Sequence, residues 1–236
     1  RALHQVDFND EVGIQAEAFY SLNENTTLNL NSSLSSRHDS YIYDQSTFSF
    51  SLKKRKSNFL PSPKHEYAPY WEMFTEVEHY FDFTTVLRIG FARRTKTIYE
   101  DFSGLAGSHI ILSTVFPAQF QYTFNPNYSF VLQYEYEFVN DNFNTSQPKF
   151  YNQFISLTSS IYSKYSASVR YEFTDNNFDL SEKKNWFTFE AGYRISQSNT
   201  LTMSHGRERG GQICSNGVCR YILPFTGFRL SLLTTI

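Results

Sequence analysis

Two cysteines are the residues of this chain whose type and spacing point most directly to chemistry. Cys214 and Cys219 are the only cysteines, and they frame the residues Ser-Asn-Gly-Val. The dipeptide Asn216-Gly217 favours a tight turn, which brings the two sulfur atoms within bridging range. A zinc site would need two more ligands near by, so this spacing matches one poorly. The sequence predicts a structural disulfide, with a redox-active or metal-binding role as the less favoured alternative.

A hydrolytic site has one candidate, the adjacent pair Ser204-His205 near the end of a predicted strand. Neighbouring residues of a strand point to opposite faces, so these two cannot form a nucleophile–base pair with each other. The histidines show no ligand spacing; they are His4, His38, His65, His79, His109 and His205. We therefore expect a protein that is not an enzyme, with no catalytic residue, no metal and no cofactor.

Charged residues recur at every second position of extended segments, the spacing that places them on one face of a β-strand. The clearest segment is 128–138, where Tyr, Phe and Leu alternate with Ser, Val, Gln and Glu. At about 3.3 Å per residue, this run is long enough to cross a bilayer core when tilted. We predict that the following charged residues face the lumen of a barrel: Glu72, Glu76, Arg88, Glu135, Glu137, Arg170, Glu172, Glu190, Arg194 and Arg229.

The same alternation predicts an all-β antiparallel transmembrane β-barrel of about twelve strands, within a range of about 10–14. The predicted strands are approximately 11–21, 26–36, 46–55, 68–79, 83–95, 109–123, 127–139, 149–161, 165–175, 185–196, 199–206 and 221–236. Toward the C-terminus, short turns alternate with long polar loops, but Asn23–Asn25 and the loop 55–68 fit this alternation awkwardly. We expect one domain over 1–236, with residues 1–10 as a lead-in from a missing N-terminal portion.

Periodicity alone does not distinguish a membrane barrel from a soluble barrel or sandwich, which buries its apolar face. Three features favour the membrane. Charges of both signs concentrate on one face and leave the apolar face almost free of charge. Tyrosines and tryptophans cluster toward strand ends, as in interfacial girdles. The last predicted strand, 221–236, is amphipathic, as closing strands of such barrels commonly are.

The composition excludes further classes of protein. The mean hydropathy is −0.45, and no apolar run approaches the roughly 18 residues of a membrane helix. A helical membrane protein is therefore excluded, whereas a transmembrane strand buries only alternate residues in lipid and keeps a low average hydropathy. The net charge of −2 implies no bulk attraction to nucleic acid.

The last long loop carries a resemblance to a known family. The stretch Gly210-Gly-Gln-Ile-Cys-Ser-Asn-Gly-Val-Cys-Arg-Tyr221, with the strand after it, is similar to the end of a Bacteroidota outer-membrane β-barrel family of unknown function. The strand layout also resembles the C-terminal part of such barrels. The resemblance implies a location in the bacterial outer membrane and provides no activity or catalytic residue to transfer.

These features together lead to three functional hypotheses. Inward Arg and Glu side chains of both signs favour a restricted, porin-like channel or transporter for small solutes. A structural or docking barrel within an outer-membrane complex is the alternative, and a hydrolase active at the barrel rim ranks lower. The expected partners are outer-membrane lipid and, for the docking alternative, other outer-membrane proteins or lipoproteins, without nucleic acid.

Overall fold

Fifteen β-strands and one 3₁₀ turn at His65–Tyr67 make up the described part of a computed structural model of the chain. The structure describes residues 11–44, 46–55, 59–100, 107–177, 183–215 and 218–234. For 41–43, 50, 99–100, 107–108, 211–215 and 218–222 it describes the backbone only. The strands are β1 Glu11–Asn23, β2 Thr26–Arg37, β3 Ser40–Asp44, β4 Ser49–Lys53, β5 Tyr70–Tyr80, β6 Thr85–Glu100, β7 Gly107–Asn125, β8 Tyr128–Asp141, β9 Lys149–Ile161, β10 Tyr165–Thr174, β11 Asn185–Arg194, β12 Asn199–Glu208, β13 Gly211–Ser215, β14 Val218–Ile222 and β15 Phe225–Thr234.

Eleven of these strands form one antiparallel sheet. Its order is β1-β2-β5-β6-β7-β8-β9-β10-β11-β12-β15, so each strand pairs with the nearest sheet strand along the chain. The all-β antiparallel prediction is therefore confirmed, with eleven strands in the main sheet.

The predicted strand 46–55 lies outside the main sheet. Its structured part, β4, pairs with β3 in a separate hairpin inside the connection between β2 and β5. Each strand of this hairpin has five residues, against twelve in β2 and eleven in β5. Phe48, Phe50 and Leu52 alternate with polar residues whether the segment pairs in the main sheet or in a loop hairpin. Periodicity therefore could not show that its partner is β3.

The last predicted strand, 221–236, is divided in the structure. Its beginning belongs to β14, which pairs with β13 in a second hairpin, and β15 starts at Phe225. Pro224 lies at the break, where a residue without a backbone N–H cannot continue a paired ladder.

Moving 46–55 out of the sheet makes the connections alternate along the whole chain. Connections of two to four residues lie at one end of the strands, which we call the short-turn rim: 24–25, 81–84, 126–127, 162–164 and 195–198. Connections of six residues or more lie at the other end, the long-loop rim: 38–69, 101–106, 142–148, 175–184 and 209–224. The awkward fit of the N-terminal third thus came from counting a loop hairpin as a sheet strand.

Many apolar side chains of the main sheet are exposed and many of its polar side chains are buried. One face, called the apolar face, carries large side chains that are well exposed, such as Phe187 at 54% and Leu230 at 61%. The other, the polar face, contains buried hydroxyl residues, among them Ser156, Thr188 and Ser204. In a soluble β-protein the apolar face is the buried one.

Candidate functional site

All ten charged residues predicted to face a lumen share the polar face. The register establishes this, since residues directly opposite each other in neighbouring strands lie on the same face. Arg88 is opposite Glu78, Glu137 is opposite Asn152, and Arg229 is opposite Ser204. The remaining members follow through the same ladder of pairs; they are Glu72, Glu76, Glu135, Arg170, Glu172, Glu190 and Arg194.

Glu137 on β8 is the centre of the first cluster on this face. Arg94 Nη2 on β6 lies 3.0 Å from Glu137 Oε1, and both side chains are largely buried. Ser113 Oγ on β7 donates to the same oxygen, and Asn152 Nδ2 on β9 donates to Oε2 at 2.9 Å. Four adjacent strands thus contribute to one carboxylate, which keeps a buried charge paired.

Glu208 at the end of β12 is the centre of the second cluster. Its Oε1 lies 2.8 Å from Arg170 Nη2 on β10, and its Oε2 lies 3.1 Å from Arg229 Nη1 on β15. Arg170 also approaches Glu190 Oε2 at 3.8 Å. The guanidinium of Arg229 stacks over the Phe225 ring at 4.2 Å, a cation–π contact.

Asn152 and Arg209 extend the first cluster toward the second, because Arg209 directly follows Glu208 in the chain. The Asn152 amide donates to Glu137 through Nδ2 and accepts from Arg209 Nη1 through Oδ1, at 3.4 Å. The Arg209 guanidinium lies 4.9 Å from the centre of the Trp186 ring, which is almost fully buried. We call the combined set the mouth network: Arg94, Ser113, Glu137, Asn152, Arg170, Trp186, Glu190, Glu208, Arg209 and Arg229.

The mouth network lies toward the long-loop rim. Glu208 is the last residue of β12, and Glu137 is four positions before the end of β8. Toward the short-turn rim, the polar face of β8–β15 carries small hydroxyl side chains instead: Ser129, Thr158, Ser160, Ser166, Ser168, Thr202 and Ser231. On β8–β15, paired charges therefore concentrate at the long-loop end of this face. Hydroxyl residues predominate at the short-turn end, where Arg194 and Leu233 are the bulky exceptions.

Several predicted residues lie on the polar face outside the mouth network. Arg88 forms an ion pair with Glu78 between β6 and β5. Glu72 accepts a hydrogen bond from the Tyr70 hydroxyl. The others are placed by register: Glu76 opposite Gly90, Glu135 opposite Pro117 and Phe154, Glu172 opposite Phe154 and Trp186, and Arg194 opposite Thr200.

The predicted lumen residues did not include five polar members of the network: Arg94, Ser113, Asn152, Glu208 and Arg209. The predicted strand ended at residue 206, so Glu208 was assigned to a loop although it continues the alternation from Ser204 and Gly206. That continued alternation was the signal that could have found it. Asn152 and Ser113 carry no charge, and nothing in their type or spacing marks them.

The remaining candidates from the sequence fall elsewhere. The backbones of Cys214 and Cys219 lie directly opposite each other in the β13–β14 pairing. The predicted disulfide between them involves their side chains, which are not among those that the structure describes. Ser204 is buried on the polar face, whereas His205 lies on the apolar face between Phe189 and Phe228. Among the side chains that the structure describes, no group of three His, Cys, Asp or Glu could hold a metal ion.

A comparison of the sequence with models of protein families identifies the family of this chain. A model of a family of unknown function, DUF6029, matches residues 1–236. The chain belongs to the DUF6029 family. No curated protein matches this DUF6029 chain. In the described parts of the chain, no helix has the length and apolarity needed to cross a membrane.

Proposed function

We propose that this DUF6029 chain is a closed β-barrel of the bacterial outer membrane, with its apolar face against lipid and its polar face around a lumen. The observation that carries the proposal is the inverted exposure of the two faces. Leu132, Phe189 and Leu232 are exposed large apolar side chains on one face, opposite buried serines and threonines on the other. Exposed apolar surface of this extent marks contact with protein or membrane.

Arg209 extends far across the polar face. It directly follows β12, three strands away from Asn152 on β9. Three strand spacings amount to about 14 Å, and the Arg209 guanidinium reaches Asn152 Oδ1 at 3.4 Å. Side chains of this reach would obstruct much of a narrow lumen.

Aromatic side chains at the short-turn rim support a membrane boundary there. Tyr128 packs edge-on against Tyr162 at 5.2 Å, and Tyr165 stacks on Tyr193 at 5.2 Å. Lys164 lies 5.3 Å from the Tyr193 ring. Tyrosine girdles with adjacent cations are typical of the interface between lipid and water.

For the barrel we propose a restricted channel or transporter for small solutes. The mouth network places paired arginines and carboxylates at one end of the polar face. In a barrel of about twelve strands, long side chains from facing strands can nearly span the interior. The paired charges would then narrow the lumen near the long-loop rim and leave it wider below.

Single-channel recording in planar bilayers tests this function. We expect small conductance from the unsubstituted chain, and a severalfold larger conductance from the double variant Arg170→Ala/Glu208→Ala. The matched control is Glu78→Ala/Arg88→Ala, which removes an ion pair from the same face outside the network. The control should conduct like the parent. Large, unselective conductance from the parent, or no channel in any of the three, would contradict the proposal.

A second candidate, a docking barrel within an outer-membrane complex, is favoured by the 38–69 connection. Its β3–β4 hairpin is separate from the main sheet, and Phe48, Phe59 and Leu60 in this connection are highly exposed. Such side chains suit a protein partner. Co-purification of a stable partner that is lost when Phe48 and Phe59 are changed to Ser would favour this candidate over the channel.

A further inference from the structure

The apolar face of the main sheet carries three charged residues in the strands that the structure describes, and all three are cations. Arg93 lies on β6, Lys149 on β9 and Arg207 on β12, and the register places each opposite residues of the apolar face. Every Asp and Glu in these strands lies on the polar face, where both signs occur. We call Arg93, Lys149 and Arg207 the cation belt, and its single sign suits an anionic partner.

No carboxylate in the described part of the chain forms an ion pair with the cation belt. The side chains of Arg93 and Lys149 are exposed. The Nε atom of Arg207 is buried and has no hydrogen-bond acceptor among the described residues. Because a buried donor without an acceptor is costly, Arg207 in particular favours an anion that binds from outside the sheet.

The cation belt lies toward the long-loop end of the apolar face. Arg93 and Arg207 are each eight positions from the short-turn ends of β6 and β12, and Lys149 is twelve positions from that of β9. At about 3.3 Å per residue and a strand tilt of about 40°, these positions are about 20–30 Å from the short-turn rim. In the proposed barrel, a lipid-facing apolar band of about 25 Å ends at this height.

Aromatic rings lie at the same height on the apolar face. Tyr151, two positions from Lys149, contacts Tyr136 of β8 and Phe173 of β10, with ring centroids 5.9 and 5.7 Å apart. Tyrosines concentrate where lipid meets water, and a charge deeper in the hydrocarbon layer would be costly. Both arguments place the cation belt of the proposed barrel at the level of lipid headgroups.

We propose that the cation belt binds phosphate groups of the lipid leaflet at the long-loop rim. The inference rests on the membrane barrel proposed above and names a lipid partner for one of its two ends. Arg and Lys hold phosphate through charge-assisted hydrogen bonds, and basic residues at a membrane surface attract anionic lipid. Arg207 donates its Nε–H to a phosphate oxygen. Successive members of the belt are three strands apart, about 14 Å, so they bind separate headgroups.

Binding of a phosphorylated lipid to the full chain in detergent tests this inference. The probes are diphosphorylated lipid A and the same lipid A with both phosphates removed, and native mass spectrometry measures both affinities. We expect the phosphorylated probe to bind more tightly. Arg93→Gln/Lys149→Gln should weaken its binding about fivefold for each cation removed. Since both side chains are exposed, this variant should fold like the parent, and adding Arg207→Gln should weaken binding further.

The matched control is Lys96→Gln/Arg194→Gln, which removes two exposed cations from the polar face. The control should bind the phosphorylated probe like the parent. Equal affinity for the two probes, or equal losses in the belt variant and the control, would overturn the inference. Competition by inorganic phosphate at the concentration of the lipid would also overturn it, because the site would then take free phosphate rather than lipid.

Conductance in planar bilayers separates this inference from the proposed function. The belt variant should conduct like the parent, because its cations do not face the lumen. Channels from a parent without phosphate-dependent lipid binding would refute the belt and keep the function. Phosphate-dependent binding without channels would keep the belt and refute the channel.

Discussion

Glu208 holds the second cluster together, because two of its arginines form ion pairs with it. Its two carboxylate oxygens pair with arginines on different strands, Arg170 and Arg229, and its side chain is only 5% exposed. A buried carboxylate is tolerated because it is paired on both oxygens. The arginines depend on it in turn, since either would be a partly buried cation with fewer partners.

We expect Glu208→Gln to lower the free energy of unfolding by about 1–3 kcal/mol, the usual cost of losing a charged hydrogen-bond partner. Glutamine keeps the size of the side chain but not its charge, so the loss reports the ion pairs. The measurement is denaturant unfolding of the refolded chain in detergent. Glu24→Gln, in the exposed turn between β1 and β2, serves as the control. Equal stability of the two variants would contradict the prediction.

Cys214 and Cys219 are predicted to form a disulfide, and the register places their backbones directly opposite each other. Opposite residues in an antiparallel pair have Cα atoms about 4.5–5.5 Å apart, within the range that a disulfide spans. The bridge would close a ring of about six residues, so it removes little entropy from the unfolded chain.

We therefore expect reduction to alter the β13–β14 hairpin and leave the main sheet folded. Mass spectrometry of the protein isolated without reductant from freshly lysed cells should show no alkylatable thiol. Circular dichroism with and without reductant then compares the strand content. Two free thiols in the isolated protein would show the disulfide prediction to be wrong.

At the scale of the strands, β12 and β15 both depart from regular geometry at one point. Gly206 has φ +132° and Gly227 has φ +128°, and the two are directly opposite each other. A Cβ at Gly206 would lie 2.2 Å from the Phe187 carbonyl oxygen of β11, whereas one at Gly227 would come no closer than 3.8 Å to Phe225. Paired glycines of this kind bend a sheet.

Gly227→Ala should cost about 1–3 kcal/mol of stability, because alanine at positive φ is strained. Gly206→Ala should cost clearly more, since the β11 backbone must also move away from the new methyl group. Both variants carry the backbone strain of alanine at positive φ. The difference between their stabilities therefore measures the clash of the new methyl group at position 206 with the β11 backbone. Thermal unfolding followed by tryptophan fluorescence measures both, and equal melting temperatures would argue against the close approach to Phe187.

The strands could be predicted from the sequence because alternation is a local property of each segment. Segment 128–138 has the same pattern whatever it pairs with, and it forms β8 as expected. Pairing is not local: nothing in 46–55 indicates that its partner is β3. The charged site was predictable only as a face. Which carboxylate meets which arginine depends on strand register, and the contact of Asn152 with Arg209 joins strands that are not neighbours in the sheet.

At the scale of the whole molecule, the two rims differ in construction. The long-loop rim carries two hairpins and the mouth network. The short-turn rim has tight turns and tyrosines, with mostly small hydroxyl residues on β8–β15 and the Arg88–Glu78 ion pair on β5 and β6. In the proposed barrel this asymmetry gives a lumen with one narrow end, and it follows from turn lengths and side-chain sizes together. The alternation of short and long connections was partly visible in the sequence; the gradient in side-chain size appears only after the register aligns the strands.

The meander order of the sheet also has a kinetic consequence. Every pairing in it joins strands that are neighbours along the chain, and the widest gap bridged is the 38–69 connection. Such pairings can form hairpin by hairpin, with little loop-closure entropy to overcome. Bringing β15 back to the beginning of the chain spans residues 11–234, nearly three doublings longer, at about 0.6 kcal/mol for each doubling. In the proposed barrel, the junction between β15 and the beginning of the chain should therefore form last, at an extra entropic cost of about 2 kcal/mol. The same junction should be the first part to open.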